Sequence, residues 1–530
     1  MESSGSNKQQ KNTSGLRSRQ KKTTWCPVFF IVVAFVGVAF FHVWQLQSIP
    51  HGIFWDEAST GYNALRIAEN GQDEYGSSLP LFFQSFGDFK SPFLIYTLSL
   101  LFLIFKASVF LLRLPSALFA LATVIGCALM ANRLWKNEAL AVLYMIIATG
   151  FLPWFFVPSR VAFAVNTQVT FLIFGIYFLH RTYHSNQPKL LNAVCAGVCF
   201  GLSAYSYNTS KLLTPLYFCV VGLLYFRRQT LRMSVLLTAS FVISLLPHIV
   251  FSLKQPTALT SRFNTITYVF DEHLPLYEKC WQFVTGYFSH WSPQFLLLNG
   301  DIILRHSSGF GGVLFWIVCA LAIVGVGSIV RSYALYRDKF ALLLLCILVL
   351  SPIAAALTNP NDMPHALRSI TMGLMIVIIS GYGFHALLER SRTRIYRLFP
   401  VIVLSVLFLE SSLFLHDYFT QFPERSMRSF ESYDMQYLLE KAVGQHPSKI
   451  YFSPSLAQGF TFHPYRFYRE IYTRRTEIPI LVLPISSLKD MPKTDTCFIL
   501  TSDEISALLF APTASTTDKN YWRLQLRCFQ

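Results

Sequence analysis

The segment HGIFWDEASTGYNALRIAENGQDEYG, residues 51–76, is the polar stretch on which the predicted fold depends. It follows an apolar run at roughly residues 27–47, which has about the length of 20 residues that crosses a bilayer. An adjacent acid pair, Asp56 and Glu57, therefore stands where the chain leaves the membrane. Acids are favourable in the first turn of a helix, and GYNALRIAEN can continue one. That explanation accounts for one acid only, so the pair indicates chemistry at this membrane face.

The composition is that of a membrane protein. Of 530 residues, 53% are hydrophobic and 14% are charged, whereas a soluble protein carries about 25% charged residues. Apolar runs near the spanning length recur along the chain, which predicts a polytopic, α-helical membrane protein. The net charge of +16 comes from short clusters of Lys and Arg between these runs. This is the positive-inside pattern, and it argues against nucleic-acid binding.

The basic clusters predict which segments are cytoplasmic. They are Arg181 with Lys189; Arg227, Arg228 and Arg232; Arg331, Arg337 and Lys339; and Arg390, Arg392, Arg394 and Arg397. Residues 1–25 are polar and basic, and we expect a disordered cytoplasmic tail there. The resulting spans number about eleven, at roughly 27–47, 112–132, 138–156, 164–180, 190–207, 210–226, 233–253, 309–330, 340–358, 370–390 and 398–415. The N-terminus is then inside and the C-terminus outside.

Parity decides how one apolar run is assigned. An odd number of crossings must separate the outer residue 48 from the inner Arg181, yet four apolar runs lie between them. The run 92–107 is short and ends at Lys106, so we expect it to be a juxtamembrane or re-entrant helix on the outer side. Residues 48–111 then form the first outer loop and 254–308 a long outer loop.

Residues 416–530 are predicted to form a small α/β domain outside the membrane. SMRSFESYDMQYLLEKAVGQ has a helical period, and KIYFS, IPILVL, TCFILTS and YWRLQLRCF have the composition of short strands. Cys497 and Cys528 lie in this region. They can pair if the compartment is oxidising. Residues 26–415 make up the membrane domain.

With this threading, unusual polar residues collect on the outer face. They include Asp56, Glu57, Asp88 and Lys90 in the first outer loop, and Arg113, Arg160, Asn166, Tyr207, Lys211, His290, Asp301, Arg305, His306, Asp362, His365 and Arg368 beyond it. A transporter needs ionisable positions near the bilayer midplane, often with internal repeats. An enzyme acting at the interface needs them at the membrane face, so the pattern favours an enzyme over a transporter or flippase.

Several motifs, taken in order, resemble a known superfamily. They are the acid pair after the first span, GDFKSP (87–92), FLLRLPSALFALATV (110–124), PSRVAFAVN (158–166), the SP…GD…RHS segment (292–307) and PHALRS (364–369). Together they resemble the GT-C membrane glycosyltransferases, in the branch of the protein O-mannosyltransferases and the aminoarabinose lipid A transferases. The resemblance covers roughly residues 27–415 and implies a GT-C fold, with outer juxtamembrane helices, in a bacterial inner membrane.

The resemblance implies that a sugar moves, with inversion, from a polyprenyl-phosphate carrier to an acceptor hydroxyl or phosphate. A carboxylate can take the proton of an attacking hydroxyl, and Arg or Lys can stabilise the departing phosphate. By matching position, Asp56 is the base with Glu57 beside it. The same matching gives a phosphate-binding group of Lys90, Arg113, Lys211, His365 and Arg368, and further site residues Asp88, Arg160, Tyr207 and His306.

Two points stay open at this stage. Some relatives use a divalent cation, which Asp56 and Asp88 could hold, but two carboxylates do not define a specific metal site. Relatives often carry an acid near Ala164, and this chain has none there, which argues against a site that needs that ligand. The acceptor is a protein, a glycan or, alternatively, lipid A or another envelope lipid, and the residues do not name the sugar.

Overall fold

The structure is a computed structural model that describes residues 25–136, 138–185, 190–391, 398–430, 432–458, 462–489, 494–508 and 524–529. The predicted disordered tail, apart from Trp25, lies outside the described residues. The same is true of Lys189 and of three members of the last basic cluster, Arg392, Arg394 and Arg397.

The described residues are mostly helical. The helices are α1 (Trp25–Val43), α2 (Trp55–Asn70), α3 (Pro92–Ile104), α4 (Val109–Leu134), α5 (Ala139–Phe151), α6 (Pro153–Ser159), α7 (Val165–Tyr183), α8 (Leu190–Ser206), α9 (Ser210–Tyr225), α10 (Leu231–Lys254), α11 (Pro256–Ile266), α12 (Leu276–Ser289), α13 (Trp316–Tyr336), α14 (Lys339–Leu350), α15 (Ile353–Ala356), α16 (Ile370–Arg390), α17 (Phe399–Thr420), α18 (Phe422–Ser426), α19 (Tyr433–Val443), α20 (Phe462–Thr476), α21 (Ile485–Leu488) and α22 (Ser502–Leu508). The strands are β1 (Phe83–Ser85), β2 (Asp88–Lys90), β3 (Lys449–Phe452), β4 (Ile480–Leu481), β5 (Thr496–Thr501) and β6 (Leu524–Phe529).

The helices confirm a multi-span membrane protein. Within the described ranges, six helical stretches are long and apolar enough to cross a bilayer: Val109–Leu134, Arg228–Lys254, Trp316–Tyr336, Lys339–Ala356, Ile370–Arg390 and Phe399–Thr420. The pair α5 and α6 passes the same test but bends by 54° between its two parts. α1, α8 and α9 are shorter apolar helices, and α7 matches the predicted span 164–180. The predicted total of eleven spans stays a prediction.

The run 92–107 forms the short helix α3. Its 13 residues extend over about 20 Å at 1.5 Å per residue, less than the ~30 Å of a hydrocarbon core. α3 packs on α2 and α4, and its C-terminal end exposes Leu103 and Ile104. A short helix with an exposed apolar end fits the predicted outer juxtamembrane position.

The C-terminal region contains all four predicted strands. They form one sheet in the order β4-β3-β5-β6, with β3 parallel to β4 and β5, and β6 antiparallel to β5. Cys497 and Cys528 lie opposite each other in the β5–β6 pair and form a disulfide. The boundary predicted at residue 416 falls inside α17, which continues to Thr420.

The C-terminal region shares its core with the first outer loop. Buried side chains of α2, such as Ala58 and Leu65, belong to one apolar cluster with Phe467 and Tyr468 of α20 and with Ile450 of the sheet. α2 lies against α20 directly, and a Cβ added to Gly61 would come within 2.5 Å of the Phe467 ring. The helix that carries the acid pair, α2, therefore packs against both α3 and α20.

Candidate active site

The two adjacent acids of the first outer loop point in different directions. α2 begins at Trp55, so Asp56 and Glu57 both lie in its first turn. Successive residues of an α-helix are rotated by about 100°, because a turn takes 3.6 residues. As a result, the Glu57 side chain has no exposed surface, whereas 39% of the Asp56 side chain is exposed.

Glu57 has a structural role. Its Oε1 lies 3.1 Å from Nε of Arg113 and accepts a hydrogen bond from the amide of Ala162 at 2.9 Å. Its Oε2 accepts from the amide of Phe54 at 3.0 Å, just before α2 begins. The catalytic role predicted for Glu57 does not fit this placement, because its carboxylate is buried and saturated with partners.

Arg113 is likewise buried, and its guanidinium donates hydrogen bonds within the fold. Its guanidinium has no exposed surface. Beside Glu57, it donates to the carbonyl groups of Leu46, Pro50 and Gly52 at 3.2, 2.8 and 2.5 Å. The predicted contact of Arg113 with a donor phosphate is therefore replaced by a structural role, which holds the segment between α1 and α2.

Arg160 has a similar role at the end of α1. It donates to the carbonyl groups of Phe41, His42, Trp44 and Ile49. Its guanidinium stacks on the rings of Phe156, Tyr418 and Phe419 at 5.0 to 5.7 Å. Arg160 is buried and contacts backbone and aromatic rings, so the structure does not bring it to Asp56 as a site residue.

The Asp56 side chain instead lines a cavity of about 140 Å³. Its lining residues are Asp56, Thr60, Ser85, Phe86, Asp88, Phe89, Lys90, Ser91, Leu94, Ile95, Ala162, Phe163, Ala164, Tyr207, Asn208 and Arg262. Asp56, Asp88, Lys90 and Tyr207 of the predicted site therefore meet here. Ala164 also faces the cavity, so the missing acid leaves an apolar wall at that point.

A β-hairpin brings Asp88 and Lys90 to the cavity. Side chains two residues apart in a strand lie on the same face, so the D-x-K spacing presents both together on β2. The hairpin turns through Phe86 and Gly87, which have φ values of 53° and 72°. Positive φ at both central residues is what a tight type I′ turn requires. For Phe86 this conformation is strained, and such strain is common at functional sites.

Acids and cations alternate around the cavity. Lys90 Nζ forms an ion pair with Oδ1 of Asp56. Oδ2 of Asp88 accepts from the side-chain amide of Asn208 at 3.4 Å and lies 3.9 Å from Nε of Arg262. Each carboxylate thus has a cation beside it, and Arg262 leaves 44% of its side chain exposed. Lys90 and Arg262 can therefore bind an anion in this site, while the Asp56 carboxylate, oriented by Lys90, stays available to a substrate.

Lys211 and Arg368 border this site without lining the cavity. Lys211 Nζ lies 5.6 Å from the centre of the Phe82 ring, just before β1. Arg368 donates to Thr358 Oγ1 at 2.8 Å and lies 3.8 Å from Asp362. Lys211 lies in the first turn of α9, and Arg368 lies just before α16, so each stands at the end of a helix.

The predicted histidines form a second layer behind the cavity. His306 packs its ring at 5.9 Å from Phe163, which lines the cavity. His306 Nδ1 is 3.1 Å from Oδ2 of the buried Asp301, and the rings of His306 and His365 stack at 4.5 Å. Burial, with the charge of Arg368, holds the pKa of His365 well below 6.5. A neutral imidazole carries no positive charge, so His365 could contact a phosphate only as a hydrogen-bond donor, and its predicted role in phosphate binding stays a prediction.

Three comparisons with known proteins bear on this geometry. Residues 89–251 match a family model described as dolichyl-phosphate-mannose-protein mannosyltransferase, which covers less than a third of the chain. ArnT from Cupriavidus metallidurans in the apo state is 13% identical, covering 94% of this chain and 98% of that chain, with a TM-score of 0.55. The same protein bound to undecaprenyl phosphate is 14% identical, covering 96% and 98%, with a TM-score of 0.54. The chain has the GT-C fold. No curated protein sequence matches it.

The GT-C fold inferred from the motifs is thus confirmed, but the motifs do not mark two residues of the cavity, Arg262 and Asn208. Arg262 lies in the long outer loop, whose sequence has no motif that marks it. Asn208 follows Tyr207 directly, and no motif of the sequence assigns it a role. Arg305 packs its guanidinium 3.8 Å from the centre of the Phe54 ring and 6.0 Å from that of Trp55. Asp88 and Lys90 were predicted as neighbours because their motif matches one of the resembled superfamily.

Proposed function

We propose that this GT-C protein transfers a sugar from a polyprenyl-phosphate carrier to an acceptor at the outer face of the membrane, with inversion. The observation that carries the proposal is the cavity in which Asp56 pairs with Lys90 beside Asp88 and Arg262. Two similarities to known proteins support it. The matching family model is named for dolichyl-phosphate-mannose, and the ArnT structure was determined with undecaprenyl phosphate.

Asp56 is the proposed general base. The acceptor hydroxyl attacks the anomeric carbon on the side opposite the phosphate, and its proton passes to the Asp56 carboxylate as the new C–O bond forms. The bond from the anomeric carbon to the phosphate oxygen breaks with its electron pair, which releases the polyprenyl phosphate. Lys90 orients Asp56 in the resting site. Since a carboxylate is a weak base, position and late proton transfer supply most of its effect.

Lys90 and Arg262 are the proposed phosphate-binding cations, with Arg368 and Lys211 behind them. Negative charge grows on the leaving phosphate in the transition state, and fixed cations there lower the barrier. Arg262 can bind two phosphate oxygens through its planar fork. Asp88 keeps Arg262 near the cavity mouth, which gives this acid a positioning role. The alternative is a divalent ion between Asp56 and Asp88. The cations beside both carboxylates argue against this alternative.

The proposed reaction is tested by donor turnover. Purified protein is incubated with a panel of radiolabelled polyprenyl-phosphate sugars, and release of free polyprenyl phosphate is followed. We expect turnover of one sugar by the wild type and a loss of about 10²–10⁴-fold in Asp56→Asn, the range of a general base. Asp271→Asn, an exposed acid of the long outer loop, is the matched control and should keep wild-type turnover.

The same experiment separates an enzyme from a flippase. A flippase consumes no donor, and Asp56→Asn would move labelled lipid across vesicles as fast as the wild type. Equal transport by both proteins without donor turnover overturns the proposal. Release of polyprenyl phosphate at equal rates by both proteins would keep the enzyme class and remove Asp56 as its base.

The acceptor has two candidate classes, a protein or glycan and an envelope lipid. A groove of about 700 Å³ favours the lipid. It combines the apolar end of α3, where Ile104 and Phe105 are exposed, with Lys106 and Arg475; a third basic residue, Arg474, is paired with Glu69 and Glu470. Apolar and basic groups side by side suit an anionic lipid at the membrane surface. Adding anionic lipid or hydroxylated peptide to the turnover assay shows which of them gains the sugar.

The active site and the C-terminal region are proposed to face outward in a bacterial inner membrane, with the N-terminus in the cytoplasm. The support is the positive-inside pattern of the basic clusters. Cys280 of the long outer loop is exposed. In intact cells a membrane-impermeant maleimide should label Cys280, whereas Ser332→Cys, placed beside Arg331, should react only after permeabilisation. The reverse pattern overturns the orientation.

A further inference from the structure

A buried cluster behind the cavity brings together three side chains that can bind a metal ion. Asp301, His306 and His365 come from two outer segments about 60 residues apart in the chain. Each offers a ligand atom, and these atoms all lie within 4.8 Å of one another. The three side chains have exposed fractions of 0%, 8% and 6%. Among the described residues, it is the one group of at least three His, Cys, Asp or Glu side chains whose ligand atoms lie this close together.

We propose that Asp301, His306 and His365 bind one divalent transition-metal ion, of which Zn²⁺ fits best. Two imidazoles and one carboxylate form a donor set that zinc commonly takes, with water or substrate in the fourth position. Ligands of a tetrahedral zinc ion lie about 3.3 Å apart, given bonds of 2.0–2.1 Å. Oδ2 of Asp301 lies 3.1 Å from Nδ1 of His306 and 3.9 Å from Nδ1 of His365, which brackets that separation.

Backbone amides orient the proposed carboxylate ligand. Oδ1 of Asp301 accepts from the amide of Ile303 at 2.8 Å, and Oδ2 accepts from the amide of Ala366 at 2.7 Å. Hydrogen bonds of this kind commonly fix ligating carboxylates. Ser307 is buried next to the cluster, and its hydroxyl has no partner among the described residues.

The ion would have a structural role for the active-site wall. It would join the segment 301–307 to the segment 364–369, and neither segment is part of a helix or strand. His306 packs on Phe163 of the cavity, and the neighbouring Arg305 packs on Phe54 at the start of α2. This site is distinct from the Asp56 and Asp88 pair, and its existence does not depend on the proposed glycosyl transfer.

Zinc retention by the full-length purified protein tests the proposal. The protein is loaded with ZnCl₂, dialysed and analysed by mass spectrometry for metal per chain. We expect about one zinc ion per wild-type chain and less than roughly a tenth of that in the Asp301→Asn/His306→Gln variant, since loss of ligands weakens binding strongly. His273→Gln, an exposed histidine of the same outer loop, should retain wild-type zinc.

Wild-type zinc below about a tenth of an ion per chain, or equal retention by the ligand variant, overturns the proposal and leaves a simple hydrogen bond between Asp301 and His306. If the variant does not fold, zinc X-ray absorption on the wild type decides. Two imidazoles in the first shell support the site, and a shell of water or sulfur overturns it. Chelation should also lower the melting temperature of the wild type, and added zinc should restore it.

Discussion

At the residue scale, Asp56 and Glu57 show how one position along a helix separates two roles. Both are acids, and both stand at the mouth of the first predicted span. The helical rotation turns Glu57 toward Arg113 in the interior and Asp56 toward Lys90 in the cavity. Buried ion pairs are stable only while both partners are present, because a single remaining charge is left without water or partner.

The first prediction separates the two acids by stability. Glu57→Gln leaves Arg113 buried with its charge uncompensated, so it should destabilise the protein by about 3–5 kcal/mol. Asp56→Asn should leave the melting temperature near that of the wild type, because Asp56 is partly exposed. Thermal unfolding in detergent measures both. A Glu57→Gln variant that is stable but inactive would return Glu57 to the catalytic site and contradict the structural role.

At the scale of elements, the contact between α13 and α16 depends on glycine. A Cβ on Gly325 would lie 1.9 Å from the carbonyl oxygen of Ile379, and one on Gly383 would lie 2.0 Å from that of Leu321. Both obstacles are backbone atoms, which cannot rotate away. Small residues let membrane helices approach this closely, and packing rather than the hydrophobic effect then drives their association.

The second prediction uses two glycines of the same helix. Gly325→Ala should cost about 1–3 kcal/mol because α13 and α16 must separate. Gly327→Ala is the matched control, since a Cβ there meets nothing within 4 Å. Both changes gain the same helix propensity, about 1 kcal/mol, so the difference between their melting temperatures isolates the packing. Equal melting temperatures would show that the helices do not approach this closely at Gly325.

At the scale of the whole molecule, the C-terminal region is anchored on the first outer loop. Glu74 accepts from Nε2 of His463 at 2.9 Å and from Asn63 at 3.0 Å, and lies 3.4 Å from Nη1 of Arg466. Burial alone would raise the pKa of Glu74. The hydrogen bonds and the charges of His463 and Arg466 outweigh it, so the pKa lies below its usual value of 4.5.

The third prediction follows from the sign of that shift. A carboxyl group with a lower pKa in the folded state adds stability above its unfolded value, near 4.5, and loses it as the pH falls through the folded value. The wild type should therefore be more stable than Glu74→Gln at pH 7, with the difference shrinking as the pH falls below about 4.5. Melting temperatures measured from pH 7 downwards test it. Glu272→Gln, an exposed acid, should show no such difference, and a Glu74→Gln gap that does not shrink with falling pH would contradict the prediction.

The sequence by itself determined the membrane class, the four C-terminal strands and the short helix over 92–104, which depend on local properties: the length of apolar runs and the period of strands. The cavity members Asp56, Asp88, Lys90 and Tyr207 were predicted from the resemblance of short motifs to a known superfamily. The tertiary structure alone decided that Glu57, Arg113 and Arg160 are buried, that Arg262 reaches the cavity, and that Asp301 meets two histidines. Those outcomes depend on helix rotation and on loops that meet across long separations in the chain. Burial and pairing of charges are properties of the packed molecule, and no short stretch of sequence contains them.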